Sequence, residues 1–388
     1  MNNHLLPTYA RADVTFVSGD GARLVAANGE RYLDFGAGIA VNALGHGHPQ
    51  LVQAIQSQAE TLMHVSNLYK IEGQEKLAAR LCAETFADQV FFANSGAEAN
   101  ECAVKMARRY QAAQGRPEAF RVISFSGAFH GRTLAMIAAG GQDKHLDGFG
   151  PKVDGFDQVP FGELDALKEM IGPETAGLII EPIQGEGGIN PADGAFLQAL
   201  RALCDEHDLV LIFDEVQTGV GRTGHLYAYE MFGVEPDILT SAKGLGGGFP
   251  IGATLANERV AAPMGAGTHG STFGGNPLAM AAGNAVLDVV LDAGFLASVR
   301  EKGLLLKQKL AAVIDAHPDV FDLVRGEGLL LGLKMKVAPT EFVAACFEEK
   351  LLVVPAGGDV VRLLPPLVAE VDDFNDAVLA LERAAKRF

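Results

Sequence analysis

A series of short apolar runs crosses the middle of this chain, and each stops abruptly at polar or glycine-rich residues. They are Val90–Ala93 before Asn94-Ser95-Gly96, Arg121–Phe125 before Ser126-Gly127, and Gly177–Ile180 before Glu181-Pro182. Leu209–Phe213 follows, ending on Asp214, then Ile238–Ala242, ending on Lys243-Gly244, and Gly252–Ala256. Continuous rather than alternating apolarity marks strands buried on both faces, as in parallel sheets. Helical stretches lie between the runs at Ala97–Ala113, Leu164–Ile171 and Ala195–His207. Strand and helix therefore alternate, which predicts an α/β fold around a mostly parallel sheet flanked by helices. In such sheets ligands sit beyond the carboxyl ends of the strands, where these polar clusters fall.

Two of those ends carry paired chemistry. Asp214 and Lys243 each close a buried strand. A lysine amine can condense with the aldehyde of pyridoxal 5'-phosphate, and a carboxylate can hold its pyridine nitrogen protonated. Ser95-Gly96-Ala97-Glu98 fits a capping box between strand and helix. Alone it suits an ordinary helix start; beside Asp214 and Lys243 it suits a phosphate anchor of free backbone amides. Phe129 and Arg132 follow another strand end. The phenyl ring suits core packing or stacking on a flat heteroaromatic ring, and the guanidinium suits a surface ion pair or a bidentate grip on a carboxylate.

At 388 residues the chain exceeds one small core. The organisation predicted is an N-terminal segment (1–45), a large domain (46–284) and a smaller α+β domain (285–388). The segment Thr15–Asp34, with turns at Gly19-Asp20-Gly21 and Asn28-Gly29, reads as a hairpin or meander docked on the small domain. A long helix is predicted from Asn276 to about Val299, with Pro277 in its first turn. Beyond it, Leu329–Met335, Leu351–Val354 and Val360–Leu364 read as strands, and Thr340–Glu349 and Val371–Arg387 as helices.

A net charge of −17 argues against nucleic acid, which needs clustered Lys and Arg. The one basic cluster, Lys105, Arg108 and Arg109, reads as a solvated helix face. The four cysteines are scattered without metal-ligand spacing, as expected of reduced thiols in a cytoplasmic protein. No secretory signal and no membrane span are expected. Gly219-Val220-Gly221-Arg222-Thr223-Gly224 matches a dinucleotide fingerprint, the sole support for a nicotinamide dehydrogenase, but no convincing helix follows it. His46-Gly47-His48-Pro49 reads as a turn, and no metal site is expected.

Combined, the motifs Asn94–Glu101, Phe129–Arg132, Glu181–Gly188, Asp214–Gly219, Lys243-Gly244 and His269–Pro277 resemble the class III aminotransferases of the fold type I pyridoxal-phosphate enzymes, over essentially the whole chain. The resemblance implies that Lys243 carries the cofactor and moves the proton, while Asp214 pairs with the pyridine nitrogen. It implies that Val216 and Phe129 cover the two ring faces, with Glu215 and Gln217 beside them. Ser95, Gly96 and Ala97 would hold the phosphate; relatives often have threonine at the place of Ala97. Thr272 would reach the phosphate from a partner subunit, making a homodimer with active sites at the subunit interface, and Ser271 would border the substrate.

Arg132 would take the α-carboxylate of N2-acetylornithine. Arg362 would take that of glutamate or 2-oxoglutarate and pair with Glu186 in between. Succinylornithine, N-succinyl-diaminopimelate, ornithine and 4-aminobutyrate remain alternative donors. A non-catalytic relative would be expected to lack Lys243 or Asp214, and both are present.

Overall fold

Strands that are apolar on both faces need cover on both faces, and the central sheet receives it. In the computed structural model, which describes residues 4–388, seven strands form this sheet. Their order is Gln89–Ala93, Gly252–Ala256, Ile238–Ser241, Val210–Asp214, Thr175–Ile180, Arg121–Phe125 and Phe156–Val159. Every pairing is parallel except those of Gly252–Ala256, which runs antiparallel to both neighbours. All residues of Thr175–Ile180, Val210–Asp214 and Ile238–Ser241 are buried. The edge strand Phe156–Val159 has no forecast in the sequence because only its two terminal residues are buried, leaving no continuous apolar run.

The helix Gly96–Ala113 starts where Gln89–Ala93 ends, and buries Ala99, Asn100, Cys102, Ala103, Ala107 and others against the sheet. The sheet's carboxyl edge thus collects Ser95, the Phe129 turn, Asp214 and, past Ser241, the single 3₁₀ turn Lys243–Gly246.

A second apolar cluster lies around the antiparallel sheet Phe321–Glu327, Leu330–Met335, Val360–Leu363 and Val354–Ala356. The N-terminal meander Phe16–Asp20, Arg23–Ala26 and Arg31–Asp34 is extended in parallel by Leu351–Leu352. The single strand expected over 351–354 therefore divides between two sheets. The helix expected over 276–299 is also two, Pro277–Val290 and Phe295–Ala316, bent by 72°. Gly294, at φ 86°, makes the break. No single described helix is long and apolar enough to cross a membrane.

The basic cluster is not simply a solvated face. Arg108 donates to the Phe120 carbonyl and packs over the Phe156 ring, Lys105 donates to the Thr268 carbonyl, and Arg109 to that of Pro263. The cations fasten neighbouring loops to the helix. The glycine fingerprint forms turns, and the next helix, Tyr229–Phe232, spans four residues, too short to present an anion site. All four cysteines are free thiols.

Candidate active site

Lys243 and Asp214 face a cavity of about 480 Å³ that also takes in Ser95, Gly96, Ala97, Phe129, Arg132, Glu186, Val216 and Gln217. Lys243 sits at φ 44°, in the left-handed region. Strain of that kind is concentrated where a side chain must be aimed. Burial lowers its amine pKa to about 8, and the nearby Arg362 cation pushes the same way, against Glu186 and Asp214.

Asp214 is fixed by three donors. Its Oδ2 accepts from Asn100 Nδ2 (2.7 Å) and His130 Nδ1 (2.8 Å), and its Oδ1 from the Val216 amide (3.0 Å). Asn100 is itself oriented by Thr240, whose hydroxyl donates to Asn100 Oδ1 at 2.7 Å. Burial opposes a charge on His130, but the hydrogen bond and charge of Asp214 outweigh it and raise the imidazole pKa. Glu181 accepts from the Phe129 and Gly185 amides, and burial pushes its carboxyl up to about 7.

At the helix start, Ser95 Oγ accepts from the Glu98 amide at 3.2 Å. Glu98 does not close the reciprocal bond of a capping box; its Oε2 accepts from the Asn94 amide at 2.7 Å instead. Among the described residues no acceptor meets the Gly96 and Ala97 amides. A Cβ on Gly96 would come within 2.8 Å of the Val216 side chain, so the cradle closes down on its own wall. An amine, a carboxylate and free helix-start amides around one flat space fit an aromatic aldehyde bearing a phosphate.

Arg132 and Glu186 also line the cavity, and Arg362 lies behind Glu186, outside the lining itself. Arg362 is 1% exposed. It donates to Glu186 Oε1 (2.8 Å), Gln217 Oε1 (3.1 Å) and the Pro355 carbonyl, while its Nε finds no partner. Gln217 Oε1 is thereby occupied, which leaves its amide nitrogen for a ligand. Arg132 is exposed and makes no ion pair among the described residues; its cation lies 5.5 Å over the Phe129 ring. The ordinary surface salt bridge is thus absent.

Several residues singled out in the sequence do not meet the cavity. The Glu215 carboxylate turns the other way, where it accepts from the Ala228 and Tyr229 amides and the Thr218 hydroxyl, and burial raises its pKa to about 7. Ser271 Oγ accepts from Asn94 Nδ2 (3.3 Å) and the Gly274 amide, tying its loop to the strand end. Thr272 is exposed and outside this cavity. Conversely, Asn100, His130, Glu181 and Val41 line the site without having been chosen. Asn100 offered one signal, a polar residue one turn before the apolar Ala103, Val104 and Ala107 on the same helix face.

Comparison with known proteins agrees with this geometry. The model for "Aminotransferase class-III" matches residues 8–385. The acetylornithine aminotransferase of Agrobacterium fabrum is 62% identical over 98% of this chain and 96% of its own length. The crystal structure of N-acetylornithine aminotransferase from Stenotrophomonas maltophilia, 36% identical, superposes with a TM-score of 0.85 over 98% of this chain and 97% of that one. The ornithine aminotransferase of Toxoplasma gondii, 32% identical, reaches 0.95 over 99% and 93%. A lysine and an aspartate at adjacent strand ends, set in that family's fold, make this chain a member of the pyridoxal-phosphate-dependent class III aminotransferases.

Proposed function

We propose that the chain transfers the δ-amino group of N2-acetyl-L-ornithine to 2-oxoglutarate, giving N-acetyl-L-glutamate 5-semialdehyde and L-glutamate, a step of arginine biosynthesis. The observation that carries this reading is the pairing of buried Arg362 with Glu186 at the cavity wall while Arg132, on the same cavity, stays unpaired. An amine donor with an acylated tail brings one α-carboxylate for Arg132 and leaves the buried pair intact. A dicarboxylate needs a second cation, which Arg362 supplies once Glu186 swings aside. An unpaired buried guanidinium is costly, so Glu186 keeps Arg362 neutralised between the two substrates.

When bound, pyridoxal phosphate supplies an aldehyde to take up the amine and a ring to accept the electrons of the broken C–H bond. Ser95, Gly96 and Ala97 would hold its phosphate, Asp214 its ring nitrogen, and Val216 and Phe129 its faces. Gln217 would reach its phenolic oxygen through the amide nitrogen that Arg362 leaves free. Lys243 would accept at Nζ the proton leaving the donor's amine-bearing carbon and return it to the carbon on the far side of the amine nitrogen, a role its lowered pKa of about 8 suits.

We further propose a homodimer in the cytoplasm, with Thr272 reaching the phosphate held by the partner subunit and Ser271 bordering its substrate. Support comes from the exposure of Thr272 outside its own cavity and from exposed apolar residues close by in the fold: Leu68, Tyr69 and Phe273. The division into segments 1–45, 46–284 and 285–388 is proposed on the separate apolar clusters around the two sheets.

A donor panel with 2-oxoglutarate tests the reading. It compares acetylornithine, succinylornithine, ornithine, succinyl-diaminopimelate and 4-aminobutyrate by kcat/KM. Acetylornithine should lead; free ornithine equalling it would sink the assignment.

A further inference from the structure

The segment that follows the N-terminal meander is strained in a way nothing above explains. Ala37, Gly38, Ile39 and Ala40 lie at φ 45°, 64°, 64° and 62°, a left-handed turn in which three of four residues carry side chains. L-residues avoid this region because Cβ crowds the following carbonyl, and consecutive examples are rarer still. Such a turn persists only where its surroundings over-determine it.

Here they do. Asp34 is buried, and its Oδ1 accepts from the Gly36 amide (3.0 Å) and the Ala37 amide (2.8 Å). Its Oδ2 accepts from His46 Nε2 at 2.8 Å. His46 is held in turn by two backbone bonds with Gly21, at 2.8 and 2.9 Å. The ends of the segment are stapled as well, Phe35 O to the Leu364 amide and Ala43 O to the Leu367 amide. Ala37 and Ala40 are buried, the latter against Ile183, Ile189 and Leu364. The residue that leaves the turn is Val41, and its amide is fixed by the Ala37 carbonyl at 2.9 Å. Val41 lines the cavity shared by Lys243 and Arg132.

We propose that Asp34 and His46 form a clasp that keeps this left-handed turn closed, so that Val41 stands as a rigid apolar wall for the acylated chain of the amine donor. The proposal rests on the donor class argued above. Asp34 and His46 are positioning residues: they touch neither substrate nor cofactor and act through the backbone between them. A wall fixed by strain cannot retreat to let water follow a charged α-ammonium, and it gives an acylated nitrogen a dry surface. Opening the clasp would relax the turn and withdraw the wall, leaving Lys243 on its 3₁₀ turn and Arg362 on its strand.

Steady-state kinetics of His46→Ala, His46→Gln and Val41→Ala test this. His46→Ala should raise the donor KM about tenfold, with kcat and the 2-oxoglutarate KM held within about twofold. His46→Gln, whose amide reaches the place of Nε2, should restore most of the loss. Val41→Ala, which leaves every clasp bond in place, should raise the donor KM in the same selective way and decides the matter if His46→Ala does not fold. A parallel rise in both KM values overturns the proposal, as does a fall in kcat alone, an unmoved donor KM in Val41→Ala, or no rescue by glutamine. The two readings fail separately. Wild-type preference for a non-acylated donor overturns the function, whereas the clasp is judged by the variants on whichever donor the wild type prefers.

Discussion

The two poles of the cavity are built by different means. The Lys243–Asp214 pole stands at the ends of strands whose every residue is buried, and both carboxylate oxygens of Asp214 have fixed partners. The Arg132–Glu186–Arg362 pole stands on turns and on an inner strand of the second sheet, where one arginine is exposed and the other is buried and paired to Glu186. The chemistry is common to every substrate and tolerates no adjustment, so it sits on rigid elements. Two substrates of different shape must be recognised in turn, so recognition sits on groups that can exchange partners. Mutations at the first pole should therefore abolish turnover of all donors, and mutations at the second should redistribute it.

The hardest break falls at Lys243. On the proposed roles Lys243→Ala removes both the amine that would carry the cofactor and the group that would move the proton, and should lower kcat by on the order of 10^4-fold for every donor. Its near-visible absorption should no longer be that of a lysine-bound cofactor. A variant that loses one donor and keeps another would show the two poles are not separable. Asp214→Asn comes next. It keeps the shape but removes the charge proposed to face the ring nitrogen, and a loss on the order of 10^2- to 10^3-fold in kcat is expected from one preorganised electrostatic contact.

These two residues were legible in the sequence because a charged side chain ending a continuous apolar run has few other places to point. The resemblance, which set Glu215 beside the ring, did not foresee where its carboxylate goes. Neighbouring residues at a strand end project to opposite sides, so when Asp214 enters the cavity Glu215 must leave it, and it finds the Ala228 and Tyr229 amides instead. The central strands were legible too, apart from Phe156–Val159, whose polar middle hides it. Local pattern could not disclose contacts between segments. Nothing around His46 points to Asp34, twelve residues away, and nothing near Leu351 tells that the chain changes sheets at Val353. The bend at Gly294 was readable only by weighing one glycine above an otherwise unbroken apolar periodicity.

At the recognition pole, Glu186→Ala sharpens the contrast. It leaves the buried Arg362 cation without its carboxylate, so α-amino donors such as glutamate, whose α-carboxylate would go to Arg362, no longer compete with an internal partner. The ratio of kcat/KM for glutamate over acetylornithine should rise about tenfold, equivalent to about 1.4 kcal/mol. An unchanged donor profile would count against the exchange of partners. A comparable effect should appear in pH. With the Lys243 amine at about 8, most of it is protonated at neutral pH and unreactive toward an aldehyde. Raising the pH from 7 to 9 converts it to the free base, so cofactor uptake by the stripped chain should accelerate by about tenfold, with its midpoint near 8. Stopped-flow absorbance reads this directly, and a rise that runs on past pH 9 without a midpoint, on the order of a hundredfold from 7 to 9, would place the amine outside the influence of burial and Arg362.

The smallest effect belongs to Ser95, where the two ways of building a site meet. Its hydroxyl starts the helix Gly96–Ala113 by accepting from the Glu98 amide, and the same turn offers the Gly96 and Ala97 amides to the cavity. Ser95→Ala should cost about 1 kcal/mol of thermal stability, the ordinary penalty for a lost helix cap. If the phosphate is held chiefly by the two amides and the helix dipole, cofactor affinity should fall by only about three- to fivefold, because the amides stay where the sheet and Val216 place them. Equilibrium titration of the stripped variant measures the affinity, and differential scanning calorimetry the stability. A fall in affinity of a hundredfold with little change in stability would move Ser95 from the helix start to the ligand itself, and the rigid pole would then depend on one hydroxyl rather than on the strand ends.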